Sequence, residues 1–556
     1  MKKITIIILC LTFSISTVYT QEMPKEIKDA VSWLKKQAKS TNTFGGKSTN
    51  TLTKKNEPKL IVGIVVDQMR YDYIDRFWDD FGKDGLKRLI KEGFSFGNAN
   101  FSYTPTFTGP GHASIYTGTT PSVHGIIANN WYDKYNKKYI YCTGDATVET
   151  ICNCENLSTD VIAEDGKMSP RHMLTTTISD EMKLFNEDAK TIAISLKDRG
   201  AILPAGHSAT AAYWMDQDGR WISSSYYMDV LPEWLIQFQE KNPAENYLTG
   251  EWEIEGGNSH NLDNMLKSKG PSAIKNTPYG NTILNELGIE IIKQEALGQS
   301  NSTDFLSISF SSTDYIGHQY GPHAKEIKDT YISLDKDIAK LLKTISENVG
   351  SKNVIVFLTA DHGVVSEPKK LIERKIPAGY WDKDNCNTQL KNHLNKKYGD
   401  GEWVKSFSNN QIFLNHDLII SKNMNIRSIQ ESCARFLINI EGIKNTYTAT
   451  QMHEHEYRYG FRSLIQKGYS QKRSGDVLIA LETGWISKGW EKGGTTHGTA
   501  YSYDTHVPLI FWGRNIKHGK SNKLTHIQDI APTISTILGI SFPNGCTGSP
   551  IIEITE

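Results

Sequence analysis

The chain has 556 residues, 38% hydrophobic and 22% charged, a globular composition that excludes collagen-like, coiled-coil and disordered classes. Lys plus Arg and Asp plus Glu both number 62, so the formal net charge is zero, and there is neither a basic field to draw nucleic acid as a specific partner nor an acidic tail. Function must therefore come from a local site.

Lys2 and Lys3 precede an apolar run, Ile4 to Val18, shorter than the roughly 20 residues of a spanning helix. Residues 1–20 read as a signal peptide cleaved near Thr20-Gln21; the competing reading is a retained anchor. No other segment is apolar enough to cross a bilayer, so the mature chain is expected to be periplasmic or secreted, with no membrane span after signal cleavage. Six cysteines remain beyond Cys10: Cys142, Cys152, Cys154, Cys386, Cys433 and Cys546. An even number in an exported chain fits disulfides, and all six read as structural. Residues 21–58 are polar, with an amphipathic stretch from Ile27 to Ala38, and read as a linker.

Ordered structure is expected from Lys59. The β-branched run to Asp67 has the continuous apolarity of a strand covered on both faces. Similar runs follow at Thr191–Leu196, Phe305–Phe310, Val354–Leu358, Val477–Leu481 and Val507–Phe511, with helical patterns between several of them, at Asp84–Lys91, Ile327–Ser346 and Ile527–Leu538. This alternation predicts an α/β fold with a central, mostly parallel sheet and helices on both faces. Residues 201–300 and 366–475 break the rhythm. They are aromatic-rich and are expected to be irregular insertions roofing a site.

Chemistry-bearing residues gather at the predicted strand ends. Asp67 closes the first strand and Asp361-His362 the Val354 strand. Asp314 follows the Phe305 strand, His318 lies four residues further on, and His497 falls in a Gly-rich loop. Ligands of open α/β sheets bind at the carboxyl ends of strands, and three Asp with three His suit zinc in a catalytic role. Three further elements could serve an anion. Thr108, in Thr-Gly-Pro-Gly-His112, starts a helical pattern, where a hydroxyl and a phosphate both meet positive potential. Strand alternation would place Lys197 and Arg199 on one side, as a clamp. Asn129 offers an amide donor. Each also has a plainer reading: Thr108 as a helix cap, Lys197 and Arg199 as a surface pair held by Asp198, Asn129 as a turn residue. His453 and His455 sit in a charged stretch and read as surface residues, with His323 less clear.

Together these motifs resemble the alkaline phosphatase superfamily, and within it the PafA-type periplasmic alkaline phosphatases. They are VVDQMRYDY, TFTGPGHASIYTG, NNWYD, SLKDRG, DYIGH, TADHG and GTTHGT, in the family's order from about Lys59 to Gly548. The resemblance implies a catalytic domain over 59–548 with an alkaline-phosphatase-like sandwich fold and two zinc ions per chain. Asp314, His318 and His497 would hold one zinc; Asp67, Asp361 and His362 would hold the other, joined by the Thr108 oxygen. Asn129, Lys197 and Arg199 would hold the phosphoryl oxygens. The implied activity is hydrolysis of phosphate monoesters to inorganic phosphate through a phosphothreonine, by a monomer.

The nearest rival is a nucleotide pyrophosphatase or phosphodiesterase of the same superfamily, against which two cations at Lys197 and Arg199 speak, because they suit a dianion better than a monoanion. A sulfatase needs a Cys or Ser in a C/S-x-P-x-R pattern, which Thr108-Gly-Pro-Gly-His112 does not supply. A phosphoglycerate mutase-like role is at odds with export. A noncatalytic periplasmic binding protein could use Trp214, Trp221, Tyr226, Tyr227 and Trp234 as a sugar-binding face, unless those rings simply pack the roof.

Overall fold

A computed structural model describes residues 57–154 and 164–555. The apolar run Ile4–Val18, the Ile27–Ala38 stretch and most of the polar segment around it lie outside the described residues.

Twelve strands are named here in chain order: β1 Leu60–Val66, β2 Phe94–Asn100, β3 Thr191–Ser195, β4 Ala211–Met215, β5 Trp221–Ser224, β6 Asp304–Phe310, β7 Val354–Thr359, β8 Val404–Ser408, β9 Gln411–Leu414, β10 Ile443–Thr448, β11 Val477–Leu481 and β12 His506–Gly513. The central sheet runs β2-β12-β7-β1-β6-β3-β4-β5, with short strands added at its margins. From β7 to β4 the five strands are parallel. Every residue of β1, β6 and β7 is buried, as expected of central strands covered on both faces. β12 lies antiparallel between β7 and β2.

The helices that matter for the site are α1 Thr108–Thr117, α2 Asp198–Ala205, α3 Pro278–Gln294, α4 Ser312–Tyr320 and α5 Lys325–Asn348. Successive strand residues point to opposite faces. Gly200 of α2 packs against Ser195 and Ser309, whereas Gly288 of α3 packs against Ile194 and Ile308. Helices therefore cover both faces.

Two expectations change. Val477–Leu481 forms β11, which is not in the central sheet; it belongs to a separate antiparallel sheet, β8-β9-β11-β10. Its apolar run is satisfied by a second core that includes Trp403, Ile412 and Val477. Residues 201–300 and 366–475, both expected to be irregular, are regular: the first supplies β4, β5 and α3, the second β8, β9 and β10. Trp214 and Trp221 are buried in β4 and β5, so these rings pack the sheet and present no open face. The cysteines also separate. Cys152 and Cys154 form a disulfide, while Cys142, Cys386, Cys433 and Cys546 are free thiols, the first three buried.

Candidate active site

Strand register brings the acidic residues together. In the parallel set Val65 pairs with Ser309 and with Thr359, and Val66 pairs with Phe310. The residues just past those ends, Asp67 and Asp361, thus emerge side by side. The chain past β6 turns directly into α4, where Asp314 in the first turn and His318 in the last share one face at i,i+4. His497 arrives from a loop that Asp504 gathers by accepting from the Gly498 and Thr499 N–H groups at 3.1 and 2.7 Å.

Two groups result: Asp314, His318 and His497, and Asp67, Asp361 and His362. Within each, one candidate ligand atom per residue lies within 4.8 Å of the others. All three imidazoles are oriented the same way. His318 Nδ1 faces Thr495 O at 2.8 Å, His362 Nδ1 faces Gly363 O at 2.9 Å and His497 Nδ1 faces Thr106 O at 2.7 Å. A carbonyl can only accept, so each Nδ1 carries the proton, as in metal-bound histidines oriented by a backbone carbonyl. Nε2 of His362 and of His497 then presents a lone pair, whereas His318 Nε2 lies 3.1 Å from Asp314 Oδ1; burial lowers the His318 pKa, but the Asp314 charge more than offsets this and raises it.

The electrostatics suit a cation. Asp67, Asp361 and His362 are wholly buried. Burial first, and then Asp67 beside it, raises the Asp361 carboxyl well above the usual range. Burial pushes His362 down to about 3, so its imidazole is neutral. Asp67 Oδ1, Asp361 Oδ2 and His362 Nε2 are buried with no hydrogen-bond partner in the protein. Three orphaned acceptor atoms converging on one point would be costly unless they served a cation. The donor set, two carboxylates with one neutral imidazole or one carboxylate with two, suits zinc. The residues present therefore fit a two-metal centre.

Lys197 lies between the groups. Its Nζ is 2.6 Å from Asp67 Oδ2 and 2.6 Å from Asp314 Oδ2, with the Tyr315 ring below it, 4.8 Å to the centroid. Strand alternation is not what places Lys197 and Arg199. The strand ends at Ser195; Lys197 is the residue before α2 and Arg199 is the second residue within it. Arg199 does not pair with Asp198; its Nη1 donates to the Tyr141 hydroxyl at 3.0 Å.

Thr108 is the first residue of α1, not its cap. The cap position is Phe107, which makes no side-chain cap bond, so the hydroxyl is not spent on the helix. The turn is pinned at both ends, by His497 on Thr106 O and by Gly111 against Asp361, where a Cβ would run into the Asp361 carbonyl. Asn129 accepts the Gly109 N–H through Oδ1 at 2.7 Å, which leaves its amide NH2 as the donor facing outward from that bond. His323 bonds Ser366 instead of joining either group, and His453 and His455 are exposed.

A model of the type I phosphodiesterase / nucleotide pyrophosphatase family matches residues 61–504. The chain is 35% identical over 549 residues to alkaline phosphatase PafA of Elizabethkingia meningoseptica, covering 94% of this chain and 98% of that protein. The chain belongs to this family. It falls among the PafA-type members: the crystal structure of wild-type PafA superposes with a TM-score of 0.84 at 34% identity, covering 90% of this chain and 99% of that one. A protein of Myroides odoratus named calcium-transporting ATPase is 38% identical over 532 residues, covering 90% of this chain and 96% of that protein. No helix among the described residues is long and apolar enough to cross a membrane.

Three residues of this PafA-type site escaped the sequence reading. Gln68 donates to Asp314 Oδ1 at 2.6 Å. His112 donates from Nδ1 to Thr108 O at 2.9 Å, and burial lowers it to about 4, so it is neutral. Tyr141 holds Arg199. Gln68 and His112 stand inside the motifs VVDQMRYDY and TFTGPGHASIYTG, which was the available signal; Tyr141 carried none, because its role depends on a hairpin folding back.

Proposed function

We propose that this PafA-type chain hydrolyses phosphate monoesters to inorganic phosphate through a phosphothreonine at Thr108, with two zinc ions, in the periplasm or outside the cell. Bound zinc would supply Lewis acidity, lowering the pKa of the Thr108 hydroxyl and neutralising the leaving oxygen. The chain's own residues do the rest. Asp314, His318 and His497 would hold one ion and Asp67, Asp361 and His362 the other. The Thr108 hydroxyl gives its proton to solvent, its oxygen forms a bond to phosphorus as the ester P–O bond breaks, and the leaving oxygen departs as an alcohol once protonated by solvent. Water then attacks phosphorus and gives up a proton, the bond to Thr108 breaks with a proton returning to its oxygen, and inorganic phosphate leaves. Asn129, oriented by Gly109, donates to one phosphoryl oxygen, and Lys197 and Arg199 offset the negative charge.

The observation that carries this reading is the buried Lys197 ammonium set between the two carboxylate–histidine groups, with a hydroxyl not used for capping at Thr108, an outward amide at Asn129 and the half-buried Arg199 beside it in sequence. Two cations favour a dianionic monoester over a monoanionic diester. A quadruple variant of PafA has been crystallised with a threonine, an asparagine, a lysine and an arginine replaced; the same four residue types stand here as Thr108, Asn129, Lys197 and Arg199, in the same order and at the same spacing within each pair.

The test is paired hydrolysis of an aryl phosphate monoester and its matching diester, with chelator and with zinc restored, alongside acid-quenched peptide mass spectrometry. The expected result is monoester preference lost on chelation and regained with zinc, and a phosphate on the Thr108 peptide that Thr108→Ala removes. Diester preference would move the chain to the phosphodiesterase branch, and undiminished turnover in Thr108→Ala would sink the nucleophile assignment.

A further inference from the structure

We propose that Tyr141 is the positioning residue of Arg199 and is itself anchored by Asp198. The inference rests on the reading of Arg199 as a phosphoryl-binding cation given above.

Asp198 and Arg199 are neighbours in sequence, yet no ion pair joins them, and among the described residues no carboxylate pairs with the guanidinium. The Tyr141 hydroxyl stands between them. It accepts from Arg199 Nη1 at 3.0 Å and donates to Asp198 Oδ1 and Oδ2 at 2.9 and 3.0 Å. Thr143 Oγ1 donates to the same carboxylate at 2.6 Å. Asp198 is thereby held at the first turn of α2, where negative charge is favoured.

The interposed phenol has a consequence. A carboxylate directly on the fork would form a strong charge-assisted pair and compete with any anion for it. A phenol fixes one N–H without a direct ion pair and leaves the rest of the fork to a ligand. Donation to Asp198 polarises the hydroxyl and makes it a better acceptor for Arg199. Burial raises the Tyr141 pKa well above the usual phenol range, so the group stays neutral.

Tyr141 ends an antiparallel hairpin, Asn130–Asp133 with Lys138–Tyr141, which also governs the other phosphoryl contact. Tyr141 is the cross-strand partner of Asn130, and the Cys142 N–H donates to Asn129 O at 2.8 Å. One hairpin thus sets both the Asn129 amide and the Arg199 fork. The β8-β9-β11-β10 sheet braces it, through Asn409 Nδ2 on Asn130 O at 2.6 Å and Tyr139 with Ser406 Oγ at 2.8 Å.

The experiment compares wild type, Tyr141→Phe, Arg199→Ala and the double variant as zinc-loaded full chains, each on the aryl monoester and the diester, with phosphate inhibition measured in parallel. Tyr141→Phe is expected to lower monoester kcat/KM by about tenfold, the scale of one hydrogen bond to a charged group. Phosphate inhibition should weaken in step and the diester should suffer less. In the Arg199→Ala background, Tyr141→Phe should cost nothing further. A loss that persists undiminished in that background, or falls equally on both substrates, would mark a merely structural role and overturn the proposal. No loss in Tyr141→Phe, while Arg199→Ala is impaired, overturns it alone. An unimpaired Arg199→Ala overturns both this proposal and the reading of Arg199 beneath it. Should Tyr141→Phe not fold, Asp198→Asn, which leaves the phenol a neutral acceptor, is expected to give a smaller loss with the same dependence on Arg199; a loss independent of Arg199 counts against the proposal.

Discussion

The side-chain amide of Gln68 donates to Asp314 Oδ1 at 2.6 Å. The same residue gives its backbone N–H to Asp361 Oδ1 at 3.1 Å, so one residue orients an acid from each of the two groups. It does so with φ at 65°, a left-handed conformation costly for a side chain without a local hydrogen bond. Gln68→Asn, which tolerates that backbone but is one methylene too short to reach Asp314, should weaken zinc retention by about 10–100-fold, the usual effect of removing a hydrogen-bond partner that orients a metal ligand. Competition with a chromogenic chelator measures this directly; unchanged retention would show that Gln68 merely fills space.

Much of this centre was legible in sequence because strand ends are. Asp67 and Asp361 follow unbroken apolar runs, and parallel pairing of those runs fixes where the next residue goes. Asp314 and His318 are four apart on one helix. What was not legible depends on contacts between distant segments. Phe94–Asn100 has no continuous apolar run and is absent from the expected strands, yet pairs with β12. β11 looks in sequence like a central strand, and only its partners place it elsewhere. Lys197 and Arg199 were expected together through strand alternation, but the strand ends at Ser195, and it is the start of α2 that places them.

Gly111 belongs to a second prediction. Its Cα faces the Asp361 backbone so closely that an added Cβ would meet the carbonyl oxygen, and backbone cannot rotate aside as a side chain can. Gly111→Ala should push α1, and Thr108 with it, away from the acids. The expected cost is about 1–3 kcal/mol, as for overpacking elsewhere, read from urea unfolding, together with lower monoester turnover. Wild-type stability would mean that the helix shifts freely.

Lys197 separates metal binding from substrate binding. Its ammonium lies between Asp67 and Asp314, where it competes with any other cation for those oxygens. Lys197→Ala should therefore retain zinc at least as well as the wild type, yet lose monoester kcat/KM by about 10²–10³-fold, the scale of one charge-stabilising donor. The diester, with one less negative charge, should lose less. Zinc content by plasma emission spectroscopy beside the two rate measurements decides it; coordinate loss of zinc would make Lys197 a structural counter-ion.

His124 gives a prediction about acid stability away from the metal ligands. Its Nδ1 accepts the Ile126 N–H at 3.1 Å, so the proton is on Nε2, which faces Ser114 Oγ at 3.0 Å. Burial, aided by the Arg473 charge, lowers its pKa to about 3. An unfolded chain protonates this ring near pH 6.5. Between those two values the unfolded state holds a proton that the folded state does not, so stability falls as pH drops through the window and levels off below it. Above about pH 6.5 the ring is neutral in both states and contributes no slope. His124→Asn keeps an acceptor for Ile126 and cannot titrate. Its unfolding free energy should therefore lose less with acid, the gap from wild type changing by up to about 1.4 kcal/mol per pH unit inside the window. Metal loss at low pH affects both proteins alike and cancels in the difference. Parallel profiles from urea unfolding at pH 7, 6, 5 and 4 would show that His124 is protonated as readily folded as unfolded.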